Sequence, residues 1–177
     1  IQSNNASKFN FNLKITSEDF NETQSGYAII KNNQFYYKTS EREVTCDGEN
    51  VWTYIIEDNE CYIDLLKDLE NTINPSDLFN MWEDGFKFKY VKKENLNNEL
   101  FHTIKMFPKN PNESNYHTVI MNVNETKITI KEASIKSKDG VTINISISSL
   151  TANPPLTTSQ FTWNSNDYID VDEIDNR

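Results

Sequence analysis

The chain has two histidines, His102 and His117, and two cysteines, Cys46 and Cys61. Neither pair forms an H-E-x-x-H or C-x-x-C pattern, so the spacing offers zinc no ligand set. In "LFHTIKMF", His102 alternates with apolar residues on the face of Leu100, Ile104 and Met106. That placement reads as a hydrogen-bonded core histidine rather than a catalytic base. No nucleophile elbow and no glycine-rich phosphate loop occurs. Asp170, Asp172, Glu173 and Asp175 gather carboxylates near the C-terminus, but the EF-hand glycine is missing. Lys87, Lys89, Lys92 and Lys93 read as a basic stripe on the outer face of one strand. A solvated face explains it, and a docking patch is the sharper alternative. The expectation is a protein without catalytic residues, metal or cofactor.

Composition narrows the partners. The formal charge is −10 over 177 residues, which disfavours nucleic acid and lasting adhesion to anionic membrane. No apolar run approaches the length of a spanning helix. Only 4 Gly and 5 Pro argue against a linker or low-complexity chain, and 12% aromatic residues argue for a folded domain. The N-x-S/T sequons at Asn5, Asn21, Asn112, Asn124 and Asn144 are what chance supplies in a chain this rich in Asn, Ser and Thr.

Most of the chain alternates apolar and polar residues with period two, the signature of half-buried strands. "KFNFNLKI" opens the series, "NETQSG" reads as a turn, and "YAIIK", "FYYKT", "EVTC", "VWTYIIE" and "CYI" follow. "DGEN" is a hairpin signal. The second half gives "FKFKYVKK", "LFHTIKMF", "YHTVIMNV", "KITIKEASI" and "VTINISISSL", then a last strand at "SQFTW" and an acidic tail running along the surface. Cys46 and Cys61 fall on strands separated by "VWTYIIE", so free thiols are expected. About eleven short strands with tight turns imply an antiparallel meander, and a strongly curled sheet fits that better than a Greek-key sandwich.

One segment breaks the pattern. "INPSDLFNMWEDG" has an N-cap at Asn74, Pro75 at the first helical position and Gly85 as a stop. The helix from Pro75 to Asp84 carries Leu78, Phe79, Met81 and Trp82 on one face, a large apolar face for its length. It is expected to lie against the concave side of the sheet. Helix and sheet together present more aromatic surface than a packed core usually needs, which points to a lipid-type cavity.

Three segments resemble one known family. "CDGENVWTY" resembles the D-G-x-x-[LV]-[WY]-x-Y segment of LolA, the periplasmic outer-membrane lipoprotein carrier. "FTWNSNDYIDVDE" is similar to the family's closing F-T-F segment, and "INPSDLFNMWEDGFKFKY" resembles the helix-to-strand segment of its Bacteroidota members. The similarity runs in consistent order from about Phe9 to the end. It implies a single LolA/LolB-like carrier domain over residues 1–177: a mainly β, incomplete antiparallel barrel with a short helical lid over an apolar cavity. The family's leading helix is absent or not included. The walls would be Phe9, Phe11, Leu13, Ile29, Phe35, Trp52, Tyr54, Phe86, Phe88, Tyr90, Ile104, Met106, Val119, Met121, Ile143, Ile145 and Phe161. Leu78, Phe79, Met81 and Trp82 would form the lid. The implied cargo is the acyl chains of lipoproteins. The implied partners are an inner-membrane ABC transporter and an outer-membrane acceptor if one exists. The implied setting is the periplasm, the state a monomer. A different lipid-binding module on the same fold, an acceptor or envelope sensor, is the alternative. One departure stands out: Asn32 occupies the place of the arginine that bonds the lid in proteobacterial members, and it cannot make a charged fork contact.

Overall fold

The computed structural model describes residues 6–69, 85–157 and 159–177. The expected helix from Pro75 to Asp84, with Leu78, Phe79, Met81 and Trp82, lies outside the described residues. The described chain is mainly β. Its strands are β1 (Ser7–Thr16), β2 (Asn21–Lys31), β3 (Gln34–Lys38), β4 (Arg42–Cys46), β5 (Asn50–Ile55), β6 (Glu60–Leu65), β7 (Phe86–Leu96), β8 (Glu99–Pro108), β9 (Tyr116–Asn124), β10 (Thr129–Ser137), β11 (Thr142–Ala152) and β12 (Asp172–Asp175).

All 12 strands belong to one sheet, in the order β12-β6-β5-β4-β3-β2-β1-β11-β10-β9-β8-β7. The described strand pairs are antiparallel except β12 with β6, which run parallel. The order is open, with β12 and β7 as its two ends, as in an incomplete barrel. The chain clusters into two compact units. Unit 1 comprises Ile1–Asn10, Ser25–Asn80 and Ser149–Arg177; unit 2 comprises Phe11–Gln24 and Met81–Ser148.

Turn chemistry explains the meander. At "DGEN", Asp47 Oδ1 accepts from the backbone of Glu49 (2.9 Å) and Asn50 (2.7 Å), while Gly48 takes φ +102°. Between β7 and β8, Asn97 and Asn98 both take positive φ in a two-residue loop, the backbone that suits a hairpin's twist. Asn32 sits in the β2–β3 loop at φ +55°. Asparagine tolerates that left-handed conformation better than most residues, which gives it a local backbone role.

Three expectations are corrected. "NETQSG" is strand, because β2 starts at Asn21; the turn lies just before it, where Ser17 N donates to Phe20 O at 2.8 Å. "SQFTW" forms turns rather than a strand, with Gln160 N bonded to Thr157 O and Thr162 N to Ser159 O. The acidic tail supplies the last strand instead: β12 pairs with β6 from Asp172 opposite Glu60 to Asp175 opposite Ile63. Among the described residues no helix is long and apolar enough to cross a membrane.

Candidate functional site

In unit 2 the strand registers place the expected wall residues on one face. Phe88 lies opposite Met106, Met106 opposite Val119, Val119 opposite Ile135, and Ile135 opposite Ile143. The next row runs Tyr90, Ile104, Met121, Ala133 and Ile145. Phe86 heads the face opposite Pro108 and stacks on Tyr116 with ring centroids 6.0 Å apart. A cleft of about 590 Å³ opens beside Phe86, Pro108 and Tyr116. Side chains one ladder row apart lie about 6–7 Å from each other, so these rows form a continuous apolar strip. The strip is unevenly covered. Met106 is 1% exposed and Val119 and Ile135 are 0%, whereas Phe88 and Tyr90 on the terminal strand are 54% and 57% exposed.

On β7 and β8 a polar group follows this strip, in a row that Val123 and Ile130 continue on β9 and β10. β7 carries one extra residue, Val91, between the Tyr90–Ile104 and Lys92–Thr103 pairs. Such a bulge reverses which side chains face which way. Lys87, Lys89 and Lys92 therefore share the polar face, but Lys93 turns to the apolar face, opposite His102. This corrects the reading of four lysines as one stripe. His102 is on the apolar face as expected, yet it is half-buried rather than in the core. Its Nδ1 is 3.3 Å from the Tyr90 hydroxyl, and its Nε2 is 2.9 Å from Glu125 Oε2. Glu125 also pairs with Lys93 Nζ at 2.5 Å. The Lys93 hydrogen bond, with help from His102, holds the Glu125 carboxyl below the usual glutamate range.

Unit 1 has a similar strip with a different ending. Ile29 lies opposite Tyr36, Tyr36 opposite Thr45, Thr45 opposite Trp52, and Trp52 opposite Ile63. Phe35 does not join Ile29 and Trp52: it pairs with Ile30 and Cys46, one residue out of phase, and so faces the other side. Tyr54 is on the Trp52 face but is covered by the chain itself. Its ring centroid is 4.6 Å from that of Tyr168 and 5.8 Å from that of Trp163, and those two stack at 4.3 Å. Glu43 Oε2 accepts from the hydroxyls of Tyr36 (2.9 Å) and Tyr168 (3.1 Å), and Lys38 pairs with the same carboxylate. Burial raises the Glu43 pKa, but the bonds from Lys38, Tyr36 and Tyr168 outweigh it and hold the carboxyl low. Burial and the same carboxylate push the Tyr168 hydroxyl up. Trp163 Nε1 donates to Glu173 at 2.6 Å, tying this segment to β12. The sequence reading missed this closure, although Trp163 and Tyr168 stand in the acidic segment quoted above.

The remaining expected wall residues are buried or half-buried. Phe9, Phe11 and Phe161 are buried, and Leu13 is half-buried on β1. Cys46 and Cys61 are free and buried, with burial pushing their thiols up to about 11 and about 12. Among the described residues no group of three or more His, Cys, Asp and Glu could hold a metal ion.

The profile of the outer membrane lipoprotein carrier protein LolA matches residues 3–164. The chain belongs to the LolA family. The match spans β1 to β11 and stops before β12. No curated protein matches the chain. Among solved structures, an uncharacterized conserved protein from Thermus thermophilus is 9% identical, with a TM-score of 0.63 over 98% of this chain and 91% of that one. A LolA superfamily protein from Nitrosomonas europaea is 12% identical, with a TM-score of 0.46 over 92% of each chain. The lipoprotein LppX of Mycobacterium tuberculosis is 10% identical, with a TM-score of 0.46 over 85% of this chain and 88% of that one. At such identity the likeness to the Thermus protein shows the fold alone, and the other two carry no argument.

Proposed function

We propose that this LolA-family protein is a periplasmic carrier that shields the acyl chains of lipoproteins on the apolar strip of unit 2. In this reading it takes cargo from an inner-membrane ABC transporter, delivers it to the outer membrane, and works as a monomer without catalysing a reaction. The observation that carries it is the exposed pair Phe88 and Tyr90, continuous with a strip whose centre, Met106, Val119, Met121 and Ile135, is buried. Large aromatic side chains left exposed side by side on a terminal strand mark a binding surface. The energy scale suits a shuttle. Burying one acyl chain is worth roughly 0.8 kcal/mol per CH₂, on the order of 10 kcal/mol in all, so a partly open wall can hold cargo and still give it up.

The test is transfer. Inner-membrane vesicles carrying a radiolabelled lipoprotein are incubated with purified protein, and the soluble fraction is assayed for a one-to-one complex. Soluble lipoprotein is expected with the parent and not with Phe88→Asp. Retention of all label in the vesicles with the parent protein would contradict the carrier reading.

A further inference from the structure

We propose that the polar end of the unit 2 strip, Lys93 with His102 and Glu125, is a head-group subsite for the ester carbonyl of an acylglycerol, whose hydrocarbon tail lies over Tyr90 and Phe88. The proposal rests on the acyl-binding reading above and adds a direction: head toward Lys93, tail toward Phe86.

Two independent observations support it. The first is the bulge at Val91, without which Lys93 would face the side of Lys87 and Lys89. Bulges concentrate where a side chain must be re-aimed, and this one puts an ammonium at the end of an apolar strip. The second is how the group is held. The His102 ring is fixed at one nitrogen by Tyr90 and at the other by Glu125, and Glu125 in turn fixes Lys93. The positive charge of Lys93 is matched by Glu125, so a free anion gains little there. An ammonium has three donors, and one is engaged by Glu125. The remaining two suit a neutral acceptor, which is what an ester carbonyl supplies. From Phe86 to Lys93 the strip runs about 20 Å at roughly 3.3 Å per residue with the bulge discounted, room for a long acyl tail. On β7 the charged residues between Phe86 and Tyr90, Lys87 and Lys89, face the other side, while Lys109 and Glu113 line the cleft beside Phe86.

The experiment compares two ligands that differ only at the carbonyl. A fluorescent acyl probe bound to the full chain is displaced with 1-monooleoylglycerol, an ester, and with 1-O-oleylglycerol, its ether analogue. The parent should favour the ester by roughly tenfold, the scale of one hydrogen bond from a charged donor. Lys93→Met should abolish the preference while leaving ether binding unchanged, and Lys93→Arg should restore it. Phe88→Asp should weaken both ligands alike. Equal affinity of the parent for ester and ether overturns the subsite while leaving the acyl-binding reading intact, as does an equal loss of both in Lys93→Met. Failure of both ligands to displace the probe from the parent, or of the probe to bind at all, sinks the acyl-binding reading itself.

Discussion

The Trp52 face of unit 1 and the Met106 face of unit 2 are written in the same alternating code and end differently. In unit 1 the chain returns: Trp163 and Tyr168 stack on each other and pack tilted against Tyr54, Tyr168 bonds to Glu43, and β12 pairs with β6. In unit 2 the terminal strand β7 keeps Phe88 and Tyr90 more than half exposed. The hydrophobic effect acts on both faces alike, since it is non-directional and scales with area. Among the described residues, what separates them is the last row. In unit 1 an aromatic cluster and a shared carboxylate fix a covering segment. In unit 2 Phe88 and Tyr90 stay exposed. Lysines on the opposite face of β7, Lys87, Lys89 and Lys92, guard that strand against pairing with other chains.

The contrast can be broken most strongly within one ladder row. Met106→Ala should destabilise the protein by about 2–5 kcal/mol, the cost of a core cavity. Phe88→Ala, directly opposite it, should change stability by only about 0.5 kcal/mol. Denaturant titration of both variants measures the difference; equal losses would mean that Phe88 is core and the strip is closed.

A smaller effect is expected from the unit 1 closure. Because the folded-state pKa of Glu43 is depressed, its contribution to stability is present above the ordinary glutamate pKa, about 4.3. It is lost as pH falls through the lower folded value, where the native carboxylate must also take up a proton. Glu43→Gln should lower stability at neutral pH and flatten the acid limb of a stability–pH curve. An unchanged acid limb would show that the Tyr36–Glu43–Tyr168 bonds do not hold the segment.

The smallest effect concerns the thiols. Cys46 and Cys61 lie on strands separated by β5, are buried, and have pKa values pushed well above that of a free thiol. A chromogenic disulfide reagent at mildly alkaline pH should react slowly with the folded protein and rapidly with both thiols in denaturant. Prompt reaction in the folded state would place at least one strand edge open.

The alternation made most strands legible, because a half-buried strand must show period two. In unit 2 Phe88, Ile104, Met106, Val119 and Met121 keep that phase through their registers and so share one face. Legibility failed where backbone pairing rather than side-chain burial decides. β12 has no apolar alternation because an end strand needs only hydrogen-bond partners. The bulge at Val91 is invisible in "KYVKK", and missing it put Lys93 on the wrong face. Phe35 stands among the expected walls, but its phase relative to Trp52 depends on hairpin registers that a single strand does not display.

The central claim is that the open strip of unit 2 binds acyl chains, and the most direct measurement is titration of an environment-sensitive fluorescent fatty-acyl probe into parent and Phe88→Asp. The account expects saturable, blue-shifted binding to the parent and at least a roughly tenfold loss in the variant, whose fold, checked by circular dichroism, stays intact because the side chain is exposed. Undiminished binding by a folded Phe88→Asp protein would contradict it.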